Sequence, residues 1–376
     1  MQEEPTDNQE MDPRYVEAVE RYFEVGLAYW ERTTPTFIVR PKGVGYQQYL
    51  IKEAFKNLAE DIKPFGYLPR LRWIVSNYQI SILEKSKEVT ELNYRRNVLL
   101  FAATLITVFI DGFLRSNNPI LTQALMKDTP VVLNALLFTF SIITIFGLHE
   151  LGHKAASLWK DMDSSMPYFI PAPPSLGGTF GAVITQHEPP VNRDALFDLG
   201  LSGPLVGFLV TAIIGIIGVS LSFVVPTQQI TEWMIMFPEV RFQQMPMPVL
   251  LDILASLIKP IPEGMTLVMH PVAFASWVGC ILTFINLIPS WQLDGGHIVR
   301  ALVGKETHKI VSVAGILLLI ISGYVFMGVI VAFFLMRGNE SIEPLDDLSP
   351  ISVSRKIGML LYFLIMALTL VALLPL

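Results

Sequence analysis

Six long apolar segments follow residue 96, and they limit what this chain can fold into. They lie near residues 97–114, 131–158, 195–223, 267–289, 310–336 and 356–375. Each is long enough to cross about 30 Å of hydrocarbon as a helix. The composition agrees, because only 16% of the residues are charged and nearly half of those charges lie in the first 96 positions. A soluble protein, a disordered chain and a disulfide-built secreted domain are therefore excluded.

Residues 1–96 have the pattern of a small soluble α+β domain. Helical spacing of apolar residues predicts helices over Met11–Trp30 and Tyr46–Ile62, the first capped at Asp12. β-rich runs predict strands at Thr36–Arg40, Leu68–Ile74 and Tyr78–Leu83. The whole chain is thus expected to be an all-α polytopic membrane protein with about six transmembrane helices, a short β-hairpin region and this N-terminal domain. The predicted boundaries are 1–96 and 97–376.

Two stretches between the apolar segments are not expected to cross the membrane. Residues 159–194 are polar and rich in Pro and Gly, yet they contain short extended runs at Tyr168–Ile170 and Gly178–Thr185. Non-helical backbone beside a membrane is tolerated only where it is buried in protein or lines a wet cavity. Residues 224–266 contain a predicted amphipathic helix at Val249–Ile258. We therefore expect the first stretch to belong to a cavity.

The net charge and the composition of the N-terminal residues indicate what the protein binds and which membrane it occupies. The net charge of −6 provides no basic surface, so nucleic acid is not an expected partner. The apolar segments make the lipid bilayer the expected surroundings. Arg95 and Arg96 precede the first apolar segment, which favours a cytoplasmic N-terminus. The polar, acidic beginning of the sequence lacks the features of a signal or transit peptide. That favours a prokaryotic plasma membrane over a plastid. The oligomeric state is left open.

The second apolar segment carries the pattern His-Glu-x-x-His at 149–153. Histidines four residues apart lie on one face of a helix, so His149 and His153 can bind the same cation. Glu150 lies about 100° round the helix from His149, where it can reach water beside the metal without being a ligand. This is the H-E-x-x-H arrangement of zinc peptidases. Ionisable residues within an apolar span are costly and usually functional, so incidental polar residues at a helix end are the weaker interpretation.

A catalytic zinc ion needs a third protein ligand and an open position for water. Asp294 is the main candidate, since it follows the fourth apolar segment and is succeeded by Gly295 and Gly296, which allow close backbone approach. His297 is the competing third ligand. Asp294 also has the simpler interpretation of a helix-end turn residue.

Other polar residues have two interpretations each. Asn286 lies deep in the fourth apolar segment and either binds a substrate carbonyl or developing oxyanion, or bonds a neighbouring helix. His187 and His270 are expected to be interfacial rather than ligands. Glycines at 200, 203 and 207 have the spacing of close helix packing, which is favoured over a catalytic role.

Three motifs together resemble the site-2 protease family of intramembrane zinc metalloproteases. They are the His-Glu-x-x-His at 149–153, the Asn-Leu-Ile-Pro at 286–289 and the Leu-Asp-Gly-Gly at 293–296. The stretch Leu-Ser-Gly-Pro-Leu at 201–205 is similar to a further family motif. Residues 270–277 and 292–296 look most like the branch with chloroplast, cyanobacterial and archaeal members. The resemblance covers about residues 97–309.

The resemblance implies regulated intramembrane proteolysis, with transmembrane proteins as substrates. Carried over position by position, it implies that His149, His153 and Asp294 bind one zinc ion and that Glu150 is the general base. Asn286 matches a position implicated in holding substrate or transition state. The extended runs in 167–185 match a hairpin region that presents substrate as a strand.

Elementary chemistry agrees with this function. Zinc lowers the pKa of bound water to about 7, and a neighbouring carboxylate can move the proton to the leaving amine. The alternative is a zinc or proton-coupled transporter that uses the same ionisable groups as an ion path. A transporter tends to show internal repeats, which are not seen here. A catalytically inactive scaffold is disfavoured, because every residue that the hydrolysis needs is present.

Overall fold

The computed structural model describes residues 12–43, 47–85, 94–174, 177–238, 244–337 and 343–371. Met11, Tyr46 and the end of the sixth predicted span lie outside these ranges. The N-terminal unit is a four-stranded antiparallel sheet with two helices, in strand order β1-β2-β4-β3. Its elements are α1 (Pro13–Tyr22), β1 (Phe23–Glu31), β2 (Thr34–Pro41), α2 (Gln47–Ile62), β3 (Tyr67–Ile74) and β4 (Asn77–Glu84).

The first predicted helix is wrong beyond Tyr22. Its start is as expected, since the Asp12 carboxylate accepts a hydrogen bond from the Arg14 backbone N–H and Pro13 occupies the first turn. From Phe23 onward the chain is a strand that pairs with β2 as far as Glu31. The pairing of two adjacent strands and the burial of Phe23 outweigh the local helical spacing, which is a weak signal. The other predicted helix and strands of this unit are confirmed.

Both helices of the N-terminal unit pack on one hydrophobic core. That core includes the fully buried side chains of Phe23, Phe37, Phe55 and Leu71. Burying a side chain of this size stabilises a fold by roughly 1.5–3 kcal/mol. Leu345, which is distant in sequence, belongs to the same core. The unit is therefore completed by a segment from the C-terminal part of the chain.

The remainder of the chain is largely helical. Within the described residues, three helices are long and apolar enough to cross a membrane by length and composition: α3 (Tyr94–Ser116), α4 (Val131–Trp159) and α5 (Arg193–Leu221). They match the first three predicted spans. The other elements are β5 (Tyr168–Pro171), β6 (Thr179–Val183), β7 (Phe223–Pro226), α6 (Thr227–Met236), α7 (Val249–Ile258), β8 (Met265–Val268), α8 (Pro271–Leu287), α9 (Asp294–Val303), α10 (Lys305–Ile321), α11 (Val325–Met336) and α12 (Val353–Thr369).

The prediction of six single spanning helices is only partly confirmed. The fourth and sixth segments form α8 and α12, which have 17 residues each in the described part of the chain. The fifth prediction is wrong as a single helix, because α10 ends at Ile321 and α11 begins at Val325. Gly323 between them has φ +92°, a left-handed conformation that ends a helix. The Tyr324 hydroxyl then donates to the Val371 carbonyl and anchors the bend.

The extended runs of the 159–194 loop form the predicted hairpin, with β5 antiparallel to β6. The hairpin packs against α3, where the Thr107 hydroxyl donates to the Gly178 carbonyl at 2.7 Å. α5 is the central helix and contacts α4, α8 and α9. Its approach to α4 is close, since a Cβ added at Gly152 would lie 2.8 Å from the Ser202 carbonyl oxygen. These contacts bring the ends of α4, α5 and α9 together.

Candidate metal centre

His149 and His153 lie one turn apart on α4 and face the first residue of α9, Asp294. The Nε2 atoms of the two histidines are 3.3 Å apart. Asp294 completes the group, with Oδ2 at 3.3 Å from His149 Nε2 and Oδ1 at 3.3 Å from His153 Nε2. His149 is fully buried, and the other two are mostly buried. The structure thus brings together the three residues that the sequence selects as ligands.

The spacing of these donor atoms fits one zinc ion. Zinc binds histidine nitrogen and carboxylate oxygen at about 2.0–2.2 Å in a tetrahedral arrangement, which separates neighbouring donors by about 3.3–3.5 Å. The two histidine nitrogens have this separation, and each also lies 3.3 Å from an Asp294 oxygen, Oδ2 for His149 and Oδ1 for His153. With one ligand atom taken from each residue, the group lies within 4.8 Å. Two imidazoles and one carboxylate are also a donor set of catalytic zinc sites, which keep a fourth position open. The residues present therefore fit the metal that the sequence predicts.

Asp294 is held by the turn between α8 and α9. Gly296 allows this turn to close, because an added Cβ there would lie 2.6 Å from the Ser290 carbonyl oxygen. The turn is fixed from α10, where the Ser312 hydroxyl accepts from the Trp291 backbone N–H at 3.1 Å. The Ser290 hydroxyl donates to the Ser312 carbonyl at 2.8 Å. An added Cβ at Gly295 would likewise overlap the Leu287 carbonyl oxygen. The position of Asp294 therefore depends on two glycines, as expected, and on a serine of α10 that the sequence did not single out.

The histidine rings are held by α5. His153 Nδ1 lies 2.9 Å from the Leu199 carbonyl oxygen, so this nitrogen carries the proton and Nε2 is free for a metal. The expected close packing of Gly203 and Gly207 occurs against these rings. A Cβ on Gly207 would lie 2.8 Å from His149 Nδ1, and a Cβ on Gly203 would overlap the His153 ring. These glycines therefore make room for the two imidazoles, which their spacing alone did not indicate.

A cavity of about 520 Å³ opens beside the cluster. Glu150 lines it, and the backbone N–H of Ile184, just after β6, faces its carboxylate. Asn286 lines it too, and its Nδ2 lies 3.2 Å from His149 Nε2. The structure therefore places Asn286 beside the cluster and in contact with α4, so both of its interpretations stay open.

The remaining histidines do not join the three donors. His297 lines the same cavity but is absent from the His149–His153–Asp294 group within the described residues. His270 caps α8, where its Nδ1 accepts from the Val272 backbone N–H at 3.1 Å. The backbone N–H of His187 donates to the Asp163 carbonyl in the loop before α5. Asp294 is thus the third member of the cluster.

Comparison with known proteins agrees with this geometry. The chain is 30% identical over 243 residues to the protein named probable zinc metalloprotease EGY2, chloroplastic, of Oryza sativa subsp. indica, covering 59% of this chain and 42% of that protein. It is 30% identical over 179 residues to probable zinc metalloprotease EGY1, chloroplastic, of Arabidopsis thaliana, covering 47% and 31%. It is 24% identical over 285 residues to probable zinc metalloprotease EGY3, chloroplastic, of Oryza sativa subsp. indica, covering 71% and 47%.

The chain spans less than half the length of these relatives. No solved structure matches it. The profile of peptidase family M50 matches residues 137–330, slightly more than half of the 376 residues, and that range includes both halves of the His-His-Asp cluster. The chain therefore belongs to peptidase family M50, the site-2 protease family.

Proposed function

We propose that this protein is an intramembrane zinc metalloendopeptidase that hydrolyses peptide bonds within transmembrane segments of membrane proteins. The observation that carries the proposal is the convergence of His149, His153 and Asp294, whose ligand atoms lie within 4.8 Å of one another, with Glu150 lining the adjoining cavity. Membership of peptidase family M50 and the names of the relatives support a metalloprotease. The ligand roles of these three residues belong to the proposal.

In the proposed mechanism, His149, His153 and Asp294 would hold zinc, which would supply the Lewis acidity that activates water and polarises the substrate carbonyl. Glu150 takes a proton from the attacking water and gives it to the leaving amine. The Asn286 side-chain amide, already at the cluster, donates a hydrogen bond to the carbonyl oxygen as negative charge develops there. The Leu199 carbonyl holds the His153 ring in one orientation throughout.

The substrate must reach the cluster in an extended form, because a helical amide is shielded by its own hydrogen bonds. Residues 182–186, at the end of β6 and just after it, line the cavity beside Glu150. We propose that the substrate adds to this segment as a strand, which replaces the hydrogen bonds lost on unwinding. Substrates with helix-breaking residues at the cleavage site should then be cleaved faster than purely helical ones. Slower cleavage of the helix-breaking substrates would contradict strand addition.

The assignment of two domains to the chain is also part of the proposal. We assign residues 1–96 to a soluble N-terminal domain and residues 97–376 to the membrane protease domain. Membrane association is supported by α3, α4 and α5. The names of the relatives include the word chloroplastic, so they give no support to the expected prokaryotic plasma membrane. We therefore propose an integral membrane protein without naming its membrane. The transporter alternative is not favoured, because the chain belongs to a peptidase family.

The test uses three purified proteins in detergent: the wild type, Glu150→Gln and the control Glu306→Gln. Glu306 is an exposed acid of α10, so its change matches the charge lost at Glu150 without touching the cavity. Bound zinc and cleavage of a panel of single-span proteins are measured for each. We expect one zinc ion in all three and cleavage by the wild type and the control only. Folded wild type without zinc, or cleavage by Glu150→Gln, would refute the mechanism.

A further inference from the structure

A short segment before α12 connects the N-terminal unit to the helix that carries Asp294. We call residues 343–349 the strap. The strap lies between β3 and the residues that lead into α5. The Leu71 backbone N–H donates to the Leu345 carbonyl at 2.9 Å, and the Leu345 N–H donates to the Pro190 carbonyl at 2.8 Å. The strap therefore covers the free edge of β3 and ties it to the membrane part of the protein.

The strap is built to present one carboxylate. The Asp346 side chain is fully buried, and its Oδ1 accepts from the backbone N–H groups of Leu348 and Ser349 at 3.0 and 2.9 Å. This local turn aims the next residue, Asp347, at α9 and the start of α5. Asp347 accepts from Arg300 there, on both oxygens. A buried turn thus fixes the direction of the Asp347 side chain.

Arg300 is the partner of this carboxylate and is completely buried in α9. Its two terminal nitrogens donate to Asp347 at 3.0 and 2.7 Å, and Arg193 Nε adds a third bond at 3.2 Å. Burial raises the pKa of Asp347, but the hydrogen bonds from Arg300 outweigh it and bring that pKa below its ordinary value. Asp347 is therefore ionised at neutral pH. A planar two-bond contact of this kind fixes orientation as well as distance.

The pair lies less than two helical turns from Asp294. α9 has ten residues and begins at Asp294, so Arg300 and the proposed ligand lie on the same short helix and move together. A metal site tolerates changes of only about 0.2 Å in its ligand distances. A tilt of α9 that follows loss of the Arg300 contact therefore displaces the carboxylate by enough to weaken zinc binding.

We propose that Arg300 and Asp347 are positioning residues that hold Asp294 in its metal-binding place, and that the strap makes this hold depend on docking of the N-terminal unit. The inference rests on the zinc centre of the proposed function. On the N-terminal side the strap is held by Arg72. Arg72 Nη1 donates to the Leu345 carbonyl at 3.0 Å, and Arg72 Nη2 donates to the Glu343 carboxylate at 3.1 Å.

The experiment measures zinc dissociation constants by competition with a chromogenic chelator, together with the melting temperature of the zinc-free proteins. The variants are Asp347→Asn, which removes the carboxylate charge, and Arg72→Ala, which loosens the strap from β3. Arg70→Ala is the matched control, since Arg70 is an exposed residue of the same strand. Replacing groups that orient metal ligands typically weakens binding by about 10- to 100-fold. We expect about tenfold for Asp347→Asn, a smaller loss for Arg72→Ala and none for Arg70→Ala.

The outcomes separate this inference from the proposed function. Unchanged zinc affinity in Asp347→Asn and Arg72→Ala, with a lower melting temperature, would show that the strap is only structural and overturn the inference alone. A folded wild type that binds no zinc would overturn both. If Asp347→Asn does not fold, the zinc affinity of Arg72→Ala provides the test. This variant is expected to fold, because Arg72 contacts the strap at its partly exposed end. Wild-type affinity in folded Arg72→Ala would then reject the link to the N-terminal unit.

Discussion

A methyl group added at Gly203 should disable the metal centre from the neighbouring helix. A Cβ at this position would lie 2.5 Å from both Cδ2 and Cε1 of the His153 ring, and it would overlap Nε2, the atom that faces Asp294. Carbon atoms in ordinary contact are about 3.5 Å apart, so the ring and α5 must separate by about 1 Å. That is several times the tolerance of a zinc–ligand distance, which is about 0.2 Å.

The size of the effect follows from the cost of overpacking, which is roughly 1–3 kcal/mol. If zinc binding must restore the original ring position against this strain, Gly203→Ala lowers zinc affinity by about 5- to 150-fold. The assay is chelator competition on purified protein. Gly215→Ala on the same helix, α5, is the control, because its Cβ would lie 2.8 Å from Ser276 Oγ of α8, away from the cluster. Folded Gly203→Ala with wild-type zinc affinity would refute the reasoning.

Three further predictions concern acid, substrate and metal. Burial raises the pKa of Glu188, but hydrogen bonds from Lys63 and Lys85 outweigh burial and bring this pKa below its ordinary value. The ionised Glu188 side chain therefore stabilises the fold fully above about pH 4.5, and this stabilisation is lost as the pH falls through the lowered pKa of the folded protein. Glu188→Gln should flatten the acid limb of a melting-temperature profile, and an unchanged limb would count against it. Asn286→Ala should lower kcat by about 10²–10³ while zinc stays bound, as measured by turnover and metal content, whereas unaltered kcat would exclude its role. Zinc at 100 times its dissociation constant should stabilise the stripped protein by about 2.7 kcal/mol, seen by thermal unfolding. An unchanged melting temperature would mean that zinc does not bind the folded protein in preference to the unfolded chain.

The metal cluster was predictable because its chemistry is encoded locally. Two histidines four residues apart on a helix necessarily share a face, and Asp294 at the end of another apolar segment needs only one helix contact to reach them. The structure brings these groups within 4.8 Å of one another. Zinc binding and the catalytic roles remain predictions that the assays above test.

Other features depend on contacts between residues far apart in sequence. The single fifth span was wrong because Gly323 takes a left-handed conformation, and a glycine in an apolar run does not by itself reveal this. The helix predicted beyond Tyr22 failed because β2 supplies the pairing that makes β1. Arg300 was missed because its partner lies in the strap, and no local pattern connects the two. In each case a tertiary contact decides the outcome.

The separation of the cluster along the chain has a consequence for biosynthesis. Under the proposed ligand assignment, His149 and His153 are made with α4, whereas the third ligand, Asp294, follows only after α5, α6, α7 and α8 have been synthesised. Because chains are made from the N-terminus, every incomplete product that ends before α9 lacks the third ligand. A ribosome-bound or truncated chain therefore carries the histidine pair and Glu150 without a closed metal site. If the proposed function is correct, such a chain is expected to have no protease activity until α9 joins the bundle.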